Sequence, residues 1–340
     1  MGFAGAHIRF DTIRQFMSAP SSRTPPAAHR RRPRVLIVKI GALGDVVRTT
    51  PLLRALPADV YWITSREALE LLPRQALAGA CDLPSCGKFS GIRFDAVFSL
   101  EEDAAAAAAA SGFAADRFVG IKPGRREKLV YTESSAPWFD MGLVSRLGRR
   151  RADALKKKNR SSYQEILFSM AGLRFRGEAY WIERGRSSAS APPRFHGALR
   201  VGLEPRAGER WLGKVWGGYD ELARRLRAAG VSVRVLRQRR RLLDYVSDIA
   251  GCDAIVSGDT LAMHLALALG KPTTAVFTCT SPWEIHGYGR LEKVVSPRLL
   301  RDFYRRDLAP GAAPVPVEKV FAALNRALDK AKLPMREERK

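Results

Sequence analysis

Two apolar runs joined by a short helix constrain this chain more than any other feature. Ala254-Ile255-Val256-Ser257 reads as a buried strand. Gly258-Asp259-Thr260 is a turn, Leu261 to Leu269 an amphipathic helix stopped by Gly270-Lys271-Pro272, and Thr273 to Phe277 a second strand. A strand–helix–strand unit of this kind belongs to a parallel sheet covered by helices. The turn between strand and helix aims backbone N–H groups and the positive end of the helix dipole at one point, which makes an anion site suited to phosphate.

The same alternation recurs along the chain. Arg34 to Ile40, Val60 to Thr64, Phe94 to Leu100 and Arg117 to Ile121 read as strands, with helices after Asp45, from Glu67 and through the alanine tract 104–110. From Lys122 to Gly185 the rhythm breaks into elaborated loops that carry Arg149-Arg150-Arg151 and Lys156-Lys157-Lys158. Only one helical pattern, Tyr163 to Ala171, interrupts them. Ser187 to Pro193 has linker composition. Alternation then restarts at Leu199 to Leu203 and continues through Tyr219 to Ala229, Val231 to Leu236 and Leu242 to Ala250 into the opening unit. The expected organisation is a basic disordered extension (1–33), a first domain (34–186), a linker (187–197), a second domain (198–316), and a C-terminal helix and tail (317–340). Two Rossmann-like doubly wound domains then face each other across a cleft, with ligands at the carboxyl ends of their strands. The terminal helix, Glu318 to Ala331, shows an apolar face of Val320, Phe321, Leu324 and Leu328 that needs a partner surface.

Composition narrows the partners. The chain has 340 residues, 58 of them basic against 34 acidic, for a net charge of +24. That excess points to an anionic partner: nucleic acid, an anionic membrane surface or a phosphorylated substrate. No apolar run is long enough to span a bilayer, and none resembles a secretory signal, so a cytoplasmic location is expected. Cys81, Cys86, Cys252 and Cys279 fit no metal pattern and read as free thiols.

Three groups of residues can carry chemistry. Gly41-Ala42-Leu43-Gly44-Asp45 follows the first strand. Its glycines let the backbone turn and approach a ligand, and Asp45 stands where it either caps the next helix or faces the cleft. Lys214 precedes the Tyr219 helix and can reach the cleft, or can lie on the surface. Thr260 and His264, four apart, share a helix face near the anion turn, although a histidine there can equally be a core residue.

These motifs together resemble glycosyltransferase family 9, the lipopolysaccharide heptosyltransferases. Val35–Lys39 with Gly44-Asp45-Val46-Val47 and Thr50-Pro51-Leu52-Leu53 is similar to the family's start, and Lys214-Val215-Trp216 to its Lys-x-Trp element. Ser257-Gly258-Asp259-Thr260, His264-Leu265-Ala266, Leu269-Gly270-Lys271-Pro272 and Ala275-Val276-Phe277 are similar to its C-terminal signature. The resemblance implies a GT-B fold and an inverting transfer from a nucleotide-activated sugar, usually ADP-heptose, to a lipid-linked core saccharide. It assigns Asp45 as catalytic base, with Gly41 and Gly44 in the acceptor-side loop. Lys214, Gly258, Asp259, Thr260 and His264 become the donor seat. Three positions depart from the family pattern: Leu261 and Thr278 stand where glycine is usual, and Arg239-Arg240-Arg241 replaces a Gly-rich turn.

The expected partners are a nucleotide-sugar donor, ADP-heptose first, and an anionic glycolipid or saccharide acceptor. Peripheral contact with an anionic membrane at its inner face would account for the cluster between Arg146 and Arg160. No cofactor and no metal is expected, because Lys214, Thr260, His264 and the helix dipole can neutralise the leaving diphosphate. The rival readings are a nucleotide-sugar epimerase on the same architecture and a basic nucleic-acid-binding protein. Against the latter, aromatic residues do not interleave with the basic blocks, and no specific nucleic acid is expected.

Overall fold

The computed structural model describes residues 31–184 and 199–333. Most of the expected extension, the whole of the expected linker and the last seven residues lie outside them.

The first sheet is built from β1 (Arg34–Val38), β2 (Asp59–Thr64), β3 (Gly79–Asp82), β4 (Phe94–Ser99), β5 (Ala115–Pro123) and β6 (Leu129–Tyr131). Their spatial order is β3-β2-β1-β4-β5-β6, parallel except for β6, which runs antiparallel to β5. Helices α1 (Leu43–Thr49), α2 (Leu52–Ala55), α3 (Ala104–Ser111), α4 (Ala136–Phe139), α5 (Arg149–Lys158) and α6 (Tyr163–Ala171) accompany it. Leu36 and Ile37 of the central β1 are fully buried, as expected of a strand covered on both faces.

The second sheet holds β7 (Arg200–Glu204), β8 (Ser232–Val235), β9 (Ala254–Gly258), β10 (Thr273–Phe277) and β11 (Leu291–Val295), in the order β11-β10-β9-β7-β8. All its pairings are parallel. Its helices are α7 (Tyr219–Ala228), α8 (Leu242–Ala250), α9 (Leu261–Ala268), α10 (Leu299–Asp302) and α11 (Val317–Lys330). The apolar face expected at the C-terminus finds its partner here. Val320, Leu324 and Leu328 of α11 join Val201, Leu226 and Val294 in one core cluster.

Several elements differ from the sequence reading, each for a local reason. The helix expected to run from Asp45 to Leu56 breaks at Pro51, which cannot donate an amide, and becomes α1 and α2. The helix expected from Glu67 is a single tight turn, Ala68–Glu70. Strands β3 and β11 each bury one side chain and so carry no apolar run for a sequence to display. The two basic blocks, read as loops, form helix α5. Helix α9, expected to be amphipathic, is buried from Ala262 to Leu267. Its second face meets α1 of the other domain, so it has no solvent side. Val47 and Leu71 from the first domain sit in one cluster with Met263, Leu265 and Ala266 from the second.

Candidate active site

In both sheets the strand order reverses once, between β1 and β4 in the first and between β7 and β9 in the second. Such points open a crevice at the strands' carboxyl ends. The two crevices face each other and share a cavity of about 530 Å³, lined from both domains.

Each crevice carries a lysine–carboxylate pair. In the first domain Lys39 Nζ donates to Glu101 Oε2 at 3.0 Å. The same oxygen accepts from the amides of Ile40 and Gly41, also at 3.0 Å. The Gly41 amide is therefore occupied, and Gly41 is not among the residues lining the cavity. In the second domain Lys214 Nζ donates to Asp259 Oδ2 at 2.8 Å and to the Asp259 carbonyl at 2.9 Å. Burial disfavours the Asp259 carboxylate, but the Lys214 ammonium overrides burial and holds it well below the usual carboxylate range.

Asp45 is not a helix cap. The N-cap of α1 is Ala42, and Asp45 sits in the first turn, where its carboxylate turns to cations. Oδ1 lies 2.9 Å from Arg48 Nε and Oδ2 4.0 Å from Lys39 Nζ. Burial resists this charge, and Arg48, then Lys39, more than reverse the effect, leaving the carboxyl below its ordinary value. Arg48 is itself anchored. Its guanidinium lies 4.2 Å over the Tyr163 ring, and Nη1 lies 3.9 Å from Glu284 Oε2 in the second domain. Glu284 is buried and also accepts from the Tyr304 hydroxyl at 3.3 Å. Helix α6, started by a capping box at Ser162 and Glu165, supplies Tyr163 to this arrangement.

The remaining sequence candidates divide. Thr260 lines the cavity, and its hydroxyl lies 2.8 Å from Ser257 Oγ; no side chain caps the first turn of α9. The expected free amides of the turn hold only in part, since the Thr260 N–H donates to Gly258 O at 2.9 Å. Gly258 is not among the lining residues; a Cβ there would come within 3.0 Å of the Lys214 carbonyl, so its role is to let that loop approach β9. Gly44 plays the same part across the domain boundary, where a Cβ would stand 2.8 Å from Cδ2 of His264.

His264 lines the cavity but does not present a positive charge to it. Burial depresses its pKa to about 4, so the ring is neutral at pH 7. Nδ1 lies 3.4 Å from the Tyr180 hydroxyl and Nε2 4.0 Å from Asp259 Oδ1. The neutral ring is wedged between the domains, against Gly44 of the first.

The sequence reading missed Lys39, Arg48, Glu101, Trp211, Glu284 and Tyr304, all of which line the cavity. Arg48 was within reach as the i+3 partner of Asp45, and Glu101 as the residue that follows a strand at the reversal of strand order. Glu284 and Tyr304 lie in irregular segments with no periodicity to mark them. Among the described residues no group of three or more His, Cys, Asp or Glu side chains could hold a metal ion. The four cysteines are free thiols.

Residues 236–307 match the sequence profile of glycosyltransferase family 9 (heptosyltransferase). The match runs from the end of β8 past α10 and includes Asp259, Thr260 and His264. Over this stretch the chain is similar to family 9 glycosyltransferases. Solved structures extend the likeness over both domains. The Escherichia coli ADP-heptose LPS heptosyltransferase II is 17% identical with a TM-score of 0.57, covering 88% of this chain and 99% of its own. A family 9 glycosyltransferase from Veillonella parvula is 14% identical at 0.53, covering 89% and 99%. The E. coli heptosyltransferase WaaC with ADP is 16% identical at 0.51, covering 88% and 99%. At such identities they show the fold, which is GT-B. No curated protein sequence matches the chain.

The departures from the family pattern have local explanations in this heptosyltransferase-like chain. Thr278, in place of glycine, donates its hydroxyl to the Gly213 carbonyl at 2.6 Å and so ties the end of β10 to the Lys214 loop. Arg239 pairs with Asp248 of α8. Leu261 is half-buried and lines the cavity beside Thr260.

Proposed function

We propose that the protein transfers a sugar, heptose in the first instance, from a nucleoside-diphosphate donor to a lipopolysaccharide-core or related anionic glycolipid acceptor, with inversion. One observation carries this reading: a single cavity in which the Asp45 carboxylate from one domain faces the Lys214 ammonium and the uncapped start of α9 from the other. The acceptor hydroxyl attacks the anomeric carbon as the bond to the diphosphate oxygen breaks, and the hydroxyl proton passes to Asp45. The negative charge that develops on the diphosphate meets Lys214 and the α9 dipole.

Asp45 is ionised at neutral pH and, held by Arg48, is a weaker base than a free aspartate. Proton transfer to it belongs late in the reaction, once attack has made the hydroxyl acidic. The E. coli relatives, named for ADP-heptose and bound to ADP, favour an adenine nucleotide donor here.

A thermal-shift screen against ADP-, GDP-, UDP- and dTDP-sugars tests the donor. A ligand at 100 times its dissociation constant adds about 2.7 kcal/mol of stability. Stabilisation by an ADP-sugar above the others is expected, and no shift with any of them sinks the reading. Donor incubated alone separates the epimerase alternative, because an epimerase changes the sugar without an acceptor.

A further inference from the structure

The stretch from Leu143 to Arg160 is unlike the rest of the surface. It holds eight basic residues and one acidic residue, Asp153. Leu143 is 63% exposed and Leu147 and Leu155 37% each. Eight large hydrophobic side chains are exposed among the described residues, so three of them fall within thirteen positions. Scattered singly, such leucines would need no account; gathered on a basic helix and the loop leading into it, they do.

Helix α5 is held to the molecule mainly through its cations. Ala152 is its one buried residue. Lys156 Nζ lies 4.2 Å over the Tyr304 ring, Lys157 5.9 Å over Phe303, and Arg160, just past the helix, 3.8 Å over Trp283. Arg149 pairs with Asp153 at 2.9 Å, and Arg146 with Glu133 at 2.7 Å. Arg150, Arg151 and Lys158 are exposed and meet no carboxylate or ring among the described residues. Arg151, Leu155 and Lys158 are spaced four and three apart and share one helix face. Leu147, Arg150, Arg151 and Ala154 line an open groove on that side.

We propose that α5 and the loop leading into it form a docking face for an anionic lipid surface. Unpaired cations lie at the level of the headgroups, and Leu147 and Leu155 enter between them. A nucleic-acid face would present rings between its cations for bases to stack on. Here the nearby rings are already covered by Lys156, Lys157 and Arg160, and the outward apolar groups are leucines. Leu143, Arg149 and Lys156 also line the cavity, so lipid on this face lies at the cavity mouth. That a membrane-borne acceptor enters there rests on the transferase reading; the docking itself does not.

The test is sedimentation of the full-length protein with phosphatidylcholine vesicles, with and without phosphatidylglycerol. The wild type is expected to pellet with the anionic vesicles alone. Replacing Arg150→Gln, Arg151→Gln and Lys158→Gln together should weaken partition roughly 100-fold, at about fivefold per cation. Leu147→Ser with Leu155→Ser should weaken it about tenfold while leaving its salt dependence in place. Equal partition to both vesicle types overturns the proposal, as does unchanged partition of both variants. So does displacement from vesicles by an RNA homopolymer that binds the leucine variant as well as the wild type. Nucleotide binding, measured without lipid, judges the transferase reading separately.

Discussion

Each domain places a lysine–carboxylate pair where the strand order of its sheet reverses, but the two carboxylates are used differently. In the first domain Glu101 accepts from Lys39 and from two loop amides, so the crevice after β1 is filled by the protein's own carboxylate. In the second, Asp259 accepts from the Lys214 ammonium, and the first turn of α9, like that of α1, has no side-chain cap. A glycine-rich turn after a strand can thus have its leading amides taken by a carboxylate of the protein itself. The closed crevice instead projects Asp45 into the shared cavity, flanked by Arg48 and Lys39. On the proposed reading, one domain holds a charge on the donor and the other a charge of its own.

The largest expected effect separates these roles. Asp45→Asn removes the carboxylate and leaves Arg48 with Glu284, so the fold persists. Turnover should fall about 10²- to 10⁴-fold, the usual worth of a general base. Donor affinity, read by calorimetry, should stay near that of the wild type. Turnover close to wild type would remove Asp45 from the mechanism, and an equal loss of donor affinity would mean that the anion site spans both crevices.

The second effect compares the two lysines directly. Lys214→Met should weaken donor nucleotide binding roughly 10- to 100-fold, the range expected for a lost charge-assisted hydrogen bond. It should also lower stability by about 3 kcal/mol, because Asp259 is left buried without its partner. Lys39→Met should lower stability in the same way but change donor affinity by less than about threefold. Similar losses of affinity in both variants would break the distinction between the crevices.

Sequence alone shows the fold well and the site in part, and the division has a physical basis. Strands buried on both faces, such as Val35–Val38 and Ala254–Ser257, must be apolar throughout and are easy to see. Edge strands β3 and β11 bury one residue each and leave no pattern. Helix α9 looked like one face of a surface helix because a sequence cannot show that α1 covers its other side. Asp45, Lys214, Asp259, Thr260 and His264 were found through motif order, and all five line the cavity. What each side chain does there was less visible. Gly44 was read as a loop glycine and proves to make room for His264, a contact between residues 220 positions apart. Glu284 reaches Arg48 from an irregular loop, and only the closing of one domain on the other brings them together.

The smallest effect concerns that seam. The folded-state pKa of His264 is about 4, against 6.5 for the free side chain. Between those values the unfolded chain binds a proton that the native protein excludes. Stability is therefore complete above about pH 6.5 and declines as pH falls towards 4, by at most about 3 kcal/mol. Asp45 and Asp259, both held below their ordinary values, also cost stability in acid, but only below about pH 4, where free carboxylates protonate. Burial lowers the pKa of His286 as well, so it contributes in the same direction. Denaturant titrations at pH 6.5 and 4.5 on wild type, His264→Gln and His286→Gln separate the two rings. The His264 variant should lose more of the pH dependence than the His286 variant. If it keeps the full slope, the folded ring titrates as the free side chain does, and below about pH 6.5 a cation then stands near Lys214 in the shared cavity. In acid that would add a second positive group to the one on which the proposed anion seat rests, and so widen the electrostatic contrast between the domains.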